Sequence, residues 1–262
     1  MSIVICAIVK LEDPYIHEWI QYHLKLGVDH IYIYDNHFIS HYHSLAADYK
    51  SHVTVIHLPG YCMQMTAYCH FLEYARSLAP PMRPEWVAFI DVDEFIVVRS
   101  LPEKCLLSPI HYLLDTFGPK RGALGLNWVL FGNNHQEVGD HSRGVLERFT
   151  RRQIGVNPHI KSITRLDDIK QMVSPHHAEY ISSDIGAHDC NGTSITGPYH
   201  PDGNDTIACI HHYFTKSNEE FYRKCSRGRA DIYQYRNFEE DFHRHNFNDI
   251  EDRTALEFWY KN

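Results

Sequence analysis

Asp91 and Asp93 are one residue apart and follow the apolar stretch Trp86-Val-Ala-Phe-Ile90. Carboxylates at i and i+2 of an extended chain share a face, and a turn just past a strand can aim both at one cation. Hard oxygen ligands suit Mg²⁺ or Mn²⁺, ions that bridge substrate phosphates and keep several waters. An isolated D-x-D can also be a pair of solvated acids; its place at the ligand edge of a central strand favours chemistry. Phosphatases of the haloacid type carry a D-x-D too, usually on the first strand of the chain. Here it lies on the fourth, with Phe95, Ile96 and Val97 following, which argues against that reading.

Other residues could serve the same edge. Tyr34-Asp35-Asn36 closes the second strand, where a carboxylate either meets a ribose or base or builds an Asx turn. Neither G-x-G-x-x-G nor G-x-x-x-x-G-K-[ST] occurs, so basic side chains and a metal must grip any phosphate. Residues 143–170 hold seven Lys/Arg against three acids, and residues 216–229 hold five against two. His211-His212-Tyr213 falls on a strand candidate, where adjacent side chains face opposite ways and only one histidine can enter a given site.

The elements that position these groups alternate. Ser2 to Val9 is a continuous apolar run, as in a strand covered on both faces. Asp13-Pro14 predicts an N-cap and first turn, Ile16, Trp19, Ile20 and Leu24 recur at helical spacing, and Gly27 supplies the stop. Strands are expected at 28–34, 53–58 and 86–90, with a helix over 64–78. This βαβ series predicts a parallel, doubly wound sheet whose ligands sit at the carboxyl ends of its strands. Beyond residue 100 the pattern predicts a helix at 106–117 and strands at 123–130, 145–150, 159–165, 176–182 and 207–214. The polar stretch 184–206 reads as a long loop or lid, and Ser217-x-x-Glu220 as a capping box opening a helix.

Composition bounds the classes. The 262 residues are 44% hydrophobic and 22% charged, ordinary globular usage that excludes disorder and low complexity. No repeat or linker divides them, so one α/β domain is expected. A net charge of −8 argues against nucleic acid and anionic membranes as partners. Protonating all 21 histidines would carry the formal charge to +13, so mild acid should matter to this protein. The seven cysteines form no C-x-x-C pair and read as free thiols; the two N-x-T sequons, at Asn191 and Asn204, read as chance matches. No integral membrane segment or signal peptide is legible, and a cytoplasmic location is expected.

Taken in order, VKLEDPYIHEWIQYHLKLGVDHIYIYDN, Gln64-x-x-Ala67-Tyr68, WVAFIDVDEF, GLNWVLFGNNH, VLERF, HIKSITR and IHHYFTKSNEEFYRKCSRGRAD resemble glycosyltransferase family 92 and related family-2-like transferases nearly end to end. That resemblance implies a GT-A fold, Rossmann-like with a mixed, mainly parallel sheet. Residues 1–100 would bind the nucleotide sugar, and 101–262 the acceptor, the metal and the diphosphate. It implies a nucleotide-sugar donor, with a UDP-sugar expected, a glycan acceptor, Mn²⁺ or Mg²⁺, and inversion at the anomeric carbon.

Carried over by position, it places Ala7, Val9 and Glu12 along the nucleotide and Asp35 at its base or ribose. Asp91 and Asp93 would hold nucleotide and metal, with Glu94 touching either. His212 would be a further metal ligand, with His211 second, and Lys216 and Arg227 would meet the diphosphate. The chain departs from the family at Leu11, where Asn is usual, and at His37, where a small or polar residue is usual. An inverting reaction needs a general base. Glu137 and Asp140 are the preferred candidates, ahead of Asp184 and Asp189. A carbohydrate- or nucleotide-binding module without catalysis, or a histidine-rich metal binder, are the competing readings.

Overall fold

The structure is a computed structural model that describes residues 1–261. Its strands are β1 (Ile3–Val9), β2 (His30–Asp35), β3 (Val53–His57), β4 (Trp86–Phe89), β5 (Glu94–Val98), β6 (Ala123–Leu130) and β7 (Arg151–Arg152). They continue with β8 (Asn157–Arg165), β9 (Ile169–Met172), β10 (Ala178–Tyr180), β11 (Ala187–His188), β12 (Ser194–Ile195), β13 (Ala208–His212) and β14 (Ile250–Glu251). The helices are α1 (Asp13–Leu26), α2 (Ser44–Asp48), α3 (Gln64–Ser77), α4 (Pro109–Phe117), α5 (Val145–Arg148), α6 (Asn218–Ser226), α7 (Phe238–His245) and α8 (Thr254–Tyr260).

Ten strands form one mixed sheet in the order β12-β11-β6-β8-β4-β1-β2-β3, with β13 bridging β6 to β5. The β4-β1-β2-β3 run is parallel, as the βαβ pattern predicts. β8 then enters antiparallel to both β4 and β6, and β13 runs parallel to β6. β1, β2, β3, β4, β6 and β13 therefore end on one edge. The sheet is mixed and mainly parallel, as expected for a GT-A architecture.

β1 shows how the layers are built. Its residues alternate between the two faces, so Ile3, Ile5, Ala7 and Val9 enter one core while Val4, Cys6 and Ile8 enter the other. α1 covers the first face with Trp19 and Ile20, and α3 covers the second with Phe71 and Leu72. A strand buried on both sides must be apolar throughout, which explains the run without alternation. α1 also grips β5 through its backbone: Trp19 Nε1 donates to Glu94 O at 2.7 Å and Tyr22 Oη to Ile96 O at 3.1 Å. The helix thereby fixes the strand that leaves the D-x-D turn.

Several expectations need correction. Asp13 is the first helical residue rather than the N-cap, which is Glu12, and its carboxylate pairs with His41 instead. Residues 145–148 form a helix, not a strand. Glu18 explains it, because its carboxylate accepts from Val145 N at 2.6 Å and Leu146 N at 3.3 Å, capping the turn from another element. The 176–182 candidate shortens to β10, which forms a two-stranded sheet with β9. Stretch 184–206 is no lid: β11 and β12 sew it to the sheet margin beside β6. Gly27 ends α1 with φ 106°, and Ser217 and Glu220 complete the capping box of α6, both as predicted. All seven cysteines are free. Among the described residues no helix is long and apolar enough to cross a membrane.

Candidate active site

A cavity of about 640 Å³ runs along the shared carboxyl edge of the sheet. At the β1–β3 side it is walled by Val9, Lys10, Asn36, Phe38 and Tyr61. Asp91 and Asp93 stand at its middle, past the end of β4, and Trp128 and His212 at the β6–β13 side. The segment 226–236 after α6 forms its roof, tied down where Ala230 O accepts from Gln64 N at 2.9 Å. Pro175 and His176, from the β9–β10 loop, close the Trp128 side.

The acidic pair sits in a tight turn closed by Glu94 N donating to Asp91 O at 3.0 Å, so its two carboxylates take different partners. Asp91, partly exposed, accepts from Gln64 Nε2 at 2.9 Å and Lys161 Nζ at 3.3 Å. Asp93 is buried, with Lys224 Nζ 2.5 Å from Oδ2 and His212 Nε2 3.6 Å from Oδ1. Burial works against ionising Asp93, yet Lys224 and then His212 hold its carboxyl well below the usual range. Burial lowers Lys224 to about 8 and His212 to about 4, in each case against the pull of Asp93.

Glu94 lies beneath the turn, fully buried. Its Oε2 accepts from Asp91 N at 2.8 Å and lies 3.2 Å from Lys161 Nζ, while Oε1 has no partner among the described residues. Burial pushes this carboxyl up to about 8, with Lys161 opposing. Burial alone would lower Lys161, only 1% exposed, but Asp91 and Glu94 hold its ammonium above an ordinary lysine.

Basic groups ring the middle of the cavity: Lys224, Arg227, Arg229 and Arg236 all line it. Arg227 pairs with Glu12 and donates to Lys10 O at 2.7 Å; Arg229 pairs with Asp231 at 2.7 Å. Arg236 has no carboxylate partner among the described residues, so its charge is free for an anion.

No group of three His, Cys, Asp or Glu side chains converges as a ready metal site among the described residues. Asp93 Oδ1 and His212 Nε2 nonetheless lie 3.6 Å apart, and burial favours the uncharged form of the His212 imidazole. The Asp93 carboxylate is a ligand type that suits Mn²⁺ or Mg²⁺, whereas the imidazole suits softer divalent ions, so phosphate oxygens and water would have to supply most of the shell of either ion.

The sequence profile of glycosyltransferase family 92 matches residues 3–253, nearly the whole chain. The chain belongs to glycosyltransferase family 92. A family 92 glycosyltransferase protein of Ricinus communis is 33% identical over 94 residues, which is 35% of this chain and 16% of that protein. One from Oryza sativa subsp. japonica is 28% identical over 131 residues, 45% of this chain and 22% of that protein. The chain thus matches less than a quarter of the length of either relative.

Against this cavity, the sequence candidates sort into two groups. Val9, Glu12, Asp91, Asp93, His212 and Arg227 all line it. Ala7 is sealed in the core, one residue short of the wall. Asp35 does not reach the cavity. Its carboxylate accepts from the backbone N–H groups of His37, His41 and Tyr42 at 3.1, 2.6 and 3.1 Å and from His37 Nδ1 at 2.9 Å. It is the Asx alternative, enlarged to organise the 37–42 loop. Lys216 is buried with its ammonium 4.4 Å from the Tyr15 ring, outside the lining.

His211 is excluded as a metal ligand of this site, because strand alternation sends it to the opposite face, 3.1 Å from Arg99. Glu137 and Asp140 are exposed and away from the lining. Glu137 accepts from Asn218 Nδ2 at 2.6 Å, and Asp140 from Ser142 Oγ at 2.6 Å. Asp184 and Asp189 also lie off the cavity. Sequence reading missed Trp128, His176 and Arg236, and it counted Lys161 and Lys224 only within basic runs. For Lys224 the nearby capping box was a usable signal, since it puts residue 224 on the α6 face that carries Glu220 and Phe221 inward.

Proposed function

We propose that this chain is a GT-A glycosyltransferase unit. It would move a sugar from a nucleoside-diphosphate sugar, with UDP as the favoured carrier, to a hydroxyl of a glycan acceptor, inverting the anomeric carbon. The carrying observation is the cavity itself, which sets Asp91 and Asp93 opposite four basic side chains at the carboxyl edge of the sheet. A diphosphate matches that middle, because Arg236 and Lys224 can meet its oxygens while Asp93 and His212 hold a divalent cation. Such a cation would stabilise the negative charge of the departing diphosphate. The nucleoside belongs at the β1–β3 side, where Phe38 and Tyr61, packed edge-to-face with ring centroids 5.6 Å apart, supply an aromatic wall. The sugar and acceptor then fall toward Trp128. Seven free thiols accord with a reducing, cytoplasmic setting.

UDP with Mn²⁺ should raise the melting temperature, because a ligand at 100 times its Kd adds about 2.7 kcal/mol. Asp93→Asn should lose the Mn²⁺-dependent part of that gain. A wild-type chain indifferent to every nucleoside diphosphate would refute the reading.

A further inference from the structure

A row of aromatic rings continues from the Trp128 end of the cavity toward the surface. His159 stacks on Trp128 at 4.8 Å between ring centroids, and Tyr199 stands edge-on to His159 at 4.7 Å. His176 lies 5.1 Å from Trp128 and 5.4 Å from His159. Trp128 and His176 line the cavity, and Tyr199, at the outer end, is exposed. His159 precedes Lys161 by two residues on β8, so it shares the strand face whose lysine reaches Asp91.

The backbone holds this row in place. Ile160 N donates to Pro198 O at 3.1 Å and His200 N to Pro158 O at 2.7 Å, which clamps Tyr199 beside His159. Ser174 Oγ accepts from His176 N at 3.1 Å, and Ser162 Oγ donates to His176 O at 3.0 Å.

The two imidazoles present the same group outward. His176 Nδ1 lies 2.9 Å from Ile160 O, and a carbonyl only accepts, so Nδ1 carries the hydrogen. His159 Nδ1 lies 2.7 Å from Asn157 Oδ1, an oxygen that also accepts from His159 N at 3.0 Å, so here too Nδ1 donates. Burial disfavours the charged form of both rings. Each therefore keeps a lone pair on Nε2. Neither Nε2 has a partner among the described residues, and neither is sealed from solvent.

We infer that this row is the acceptor subsite, and that it takes a neutral oligosaccharide whose hydroxyls donate to His159 Nε2 and His176 Nε2 while a sugar ring lies against Tyr199. The assignment rests on the transferase reading. A hydroxyl suits such a lone pair because it donates without any change of charge, and rigid aromatic faces suit the C–H side of a pyranose. An anionic guest would want a cation and a cationic guest a carboxylate; among the described residues neither is hydrogen-bonded to any of these rings. Both histidines act by accepting hydrogen bonds, not protons.

The test titrates lactose, chitobiose and mannobiose by saturation-transfer NMR, with UDP and Mn²⁺ present. It compares wild type, the double variant His159→Phe with His176→Phe, and Tyr199→Ala. At least one disaccharide should bind the wild type, and its affinity should fall at least ~5-fold in both variants, from two lost hydrogen bonds or one lost aromatic contact. Stabilisation by UDP with Mn²⁺ should persist in both. Phenylalanine keeps the rings and removes the lone pairs; Tyr199→Ala, at an exposed position, carries the test should the double variant fail to fold. A UDP-stabilised wild type that binds none of the disaccharides, or a smaller loss in either folded variant, overturns the subsite and leaves the transferase reading standing. A wild type that gains no stability from UDP defeats the transferase reading itself.

Discussion

Lys224 Nζ lies 2.5 Å from Oδ2 of Asp93, across 131 residues of chain, and both side chains are more than nine-tenths buried. A cation supplied by the C-terminal segment thus holds the acidic turn of the N-terminal half. Neither half of the chain completes the centre of the cavity alone. The same ammonium lies 3.7 Å from the Phe214 ring and 3.0 Å from Phe214 O, so the lysine is fixed before any ligand arrives.

Lys224→Met should therefore destabilise the protein by about 3–5 kcal/mol, since it strands a buried carboxylate. Adding Asp93→Asn should recover most of that loss, because the stranded charge goes with it. Urea denaturation of the two single variants and the double variant checks this. A loss below about 1 kcal/mol in Lys224→Met would mean that Asp93 is not buried as an ion.

Glu137→Gln and Asp140→Asn should leave turnover of a UDP-sugar within about twofold of wild type, because both carboxylates lie outside the cavity. Removing a true base costs at least ~10²-fold. A loss on that scale in either variant would mean that the 131–143 loop moves into the cavity during turnover.

Asp35→Ala should act on stability rather than on the donor. Its carboxylate gathers three backbone N–H groups and the His37 ring, although burial works against its ionised form. Removing it strands those donors, at a cost of about 3 kcal/mol. The increment in melting temperature from UDP should match that of wild type. A selective loss of UDP binding would restore Asp35 to the nucleotide site.

Acid should destabilise the metal-free protein well above the carboxylate range. Burial lowers His23, His176 and His211 to about 3 and His212 to about 4. Below pH ~6.5 the unfolded chain protonates these groups and the folded chain does not, so stability falls with pH. Each contributes up to ~1.4 kcal/mol per pH unit until its folded value is reached. Asp93 and Glu220 have depressed pKa values, so their stabilisation is full above the ordinary carboxylate range and is lost progressively as the pH falls from that range toward their folded values. Urea midpoints at pH 7, 6 and 5 should drop steeply, and His23→Gln should flatten the slope. An unchanged midpoint down to pH 5 would show that these histidines are hydrated.

The amino-acid sequence by itself determined the parallel β1–β4 core, the stop of α1, the start of α6 and the place of the D-x-D turn. These follow from local rules: apolar runs, glycine at a left-handed stop, a capping box and acids just past a buried strand. It also limited His211 and His212 to one entrant, because strand alternation is local. Only the tertiary structure decided which histidine enters, that Asp35 serves its own loop and that Asp91 and Asp93 take different lysines. It likewise brought His176, Trp128 and Arg236 to one cavity while leaving Glu137 and Asp140 outside. Those outcomes depend on where β8, β13 and the segment after α6 pack against the first hundred residues, and contacts across such distances leave no periodicity in the sequence.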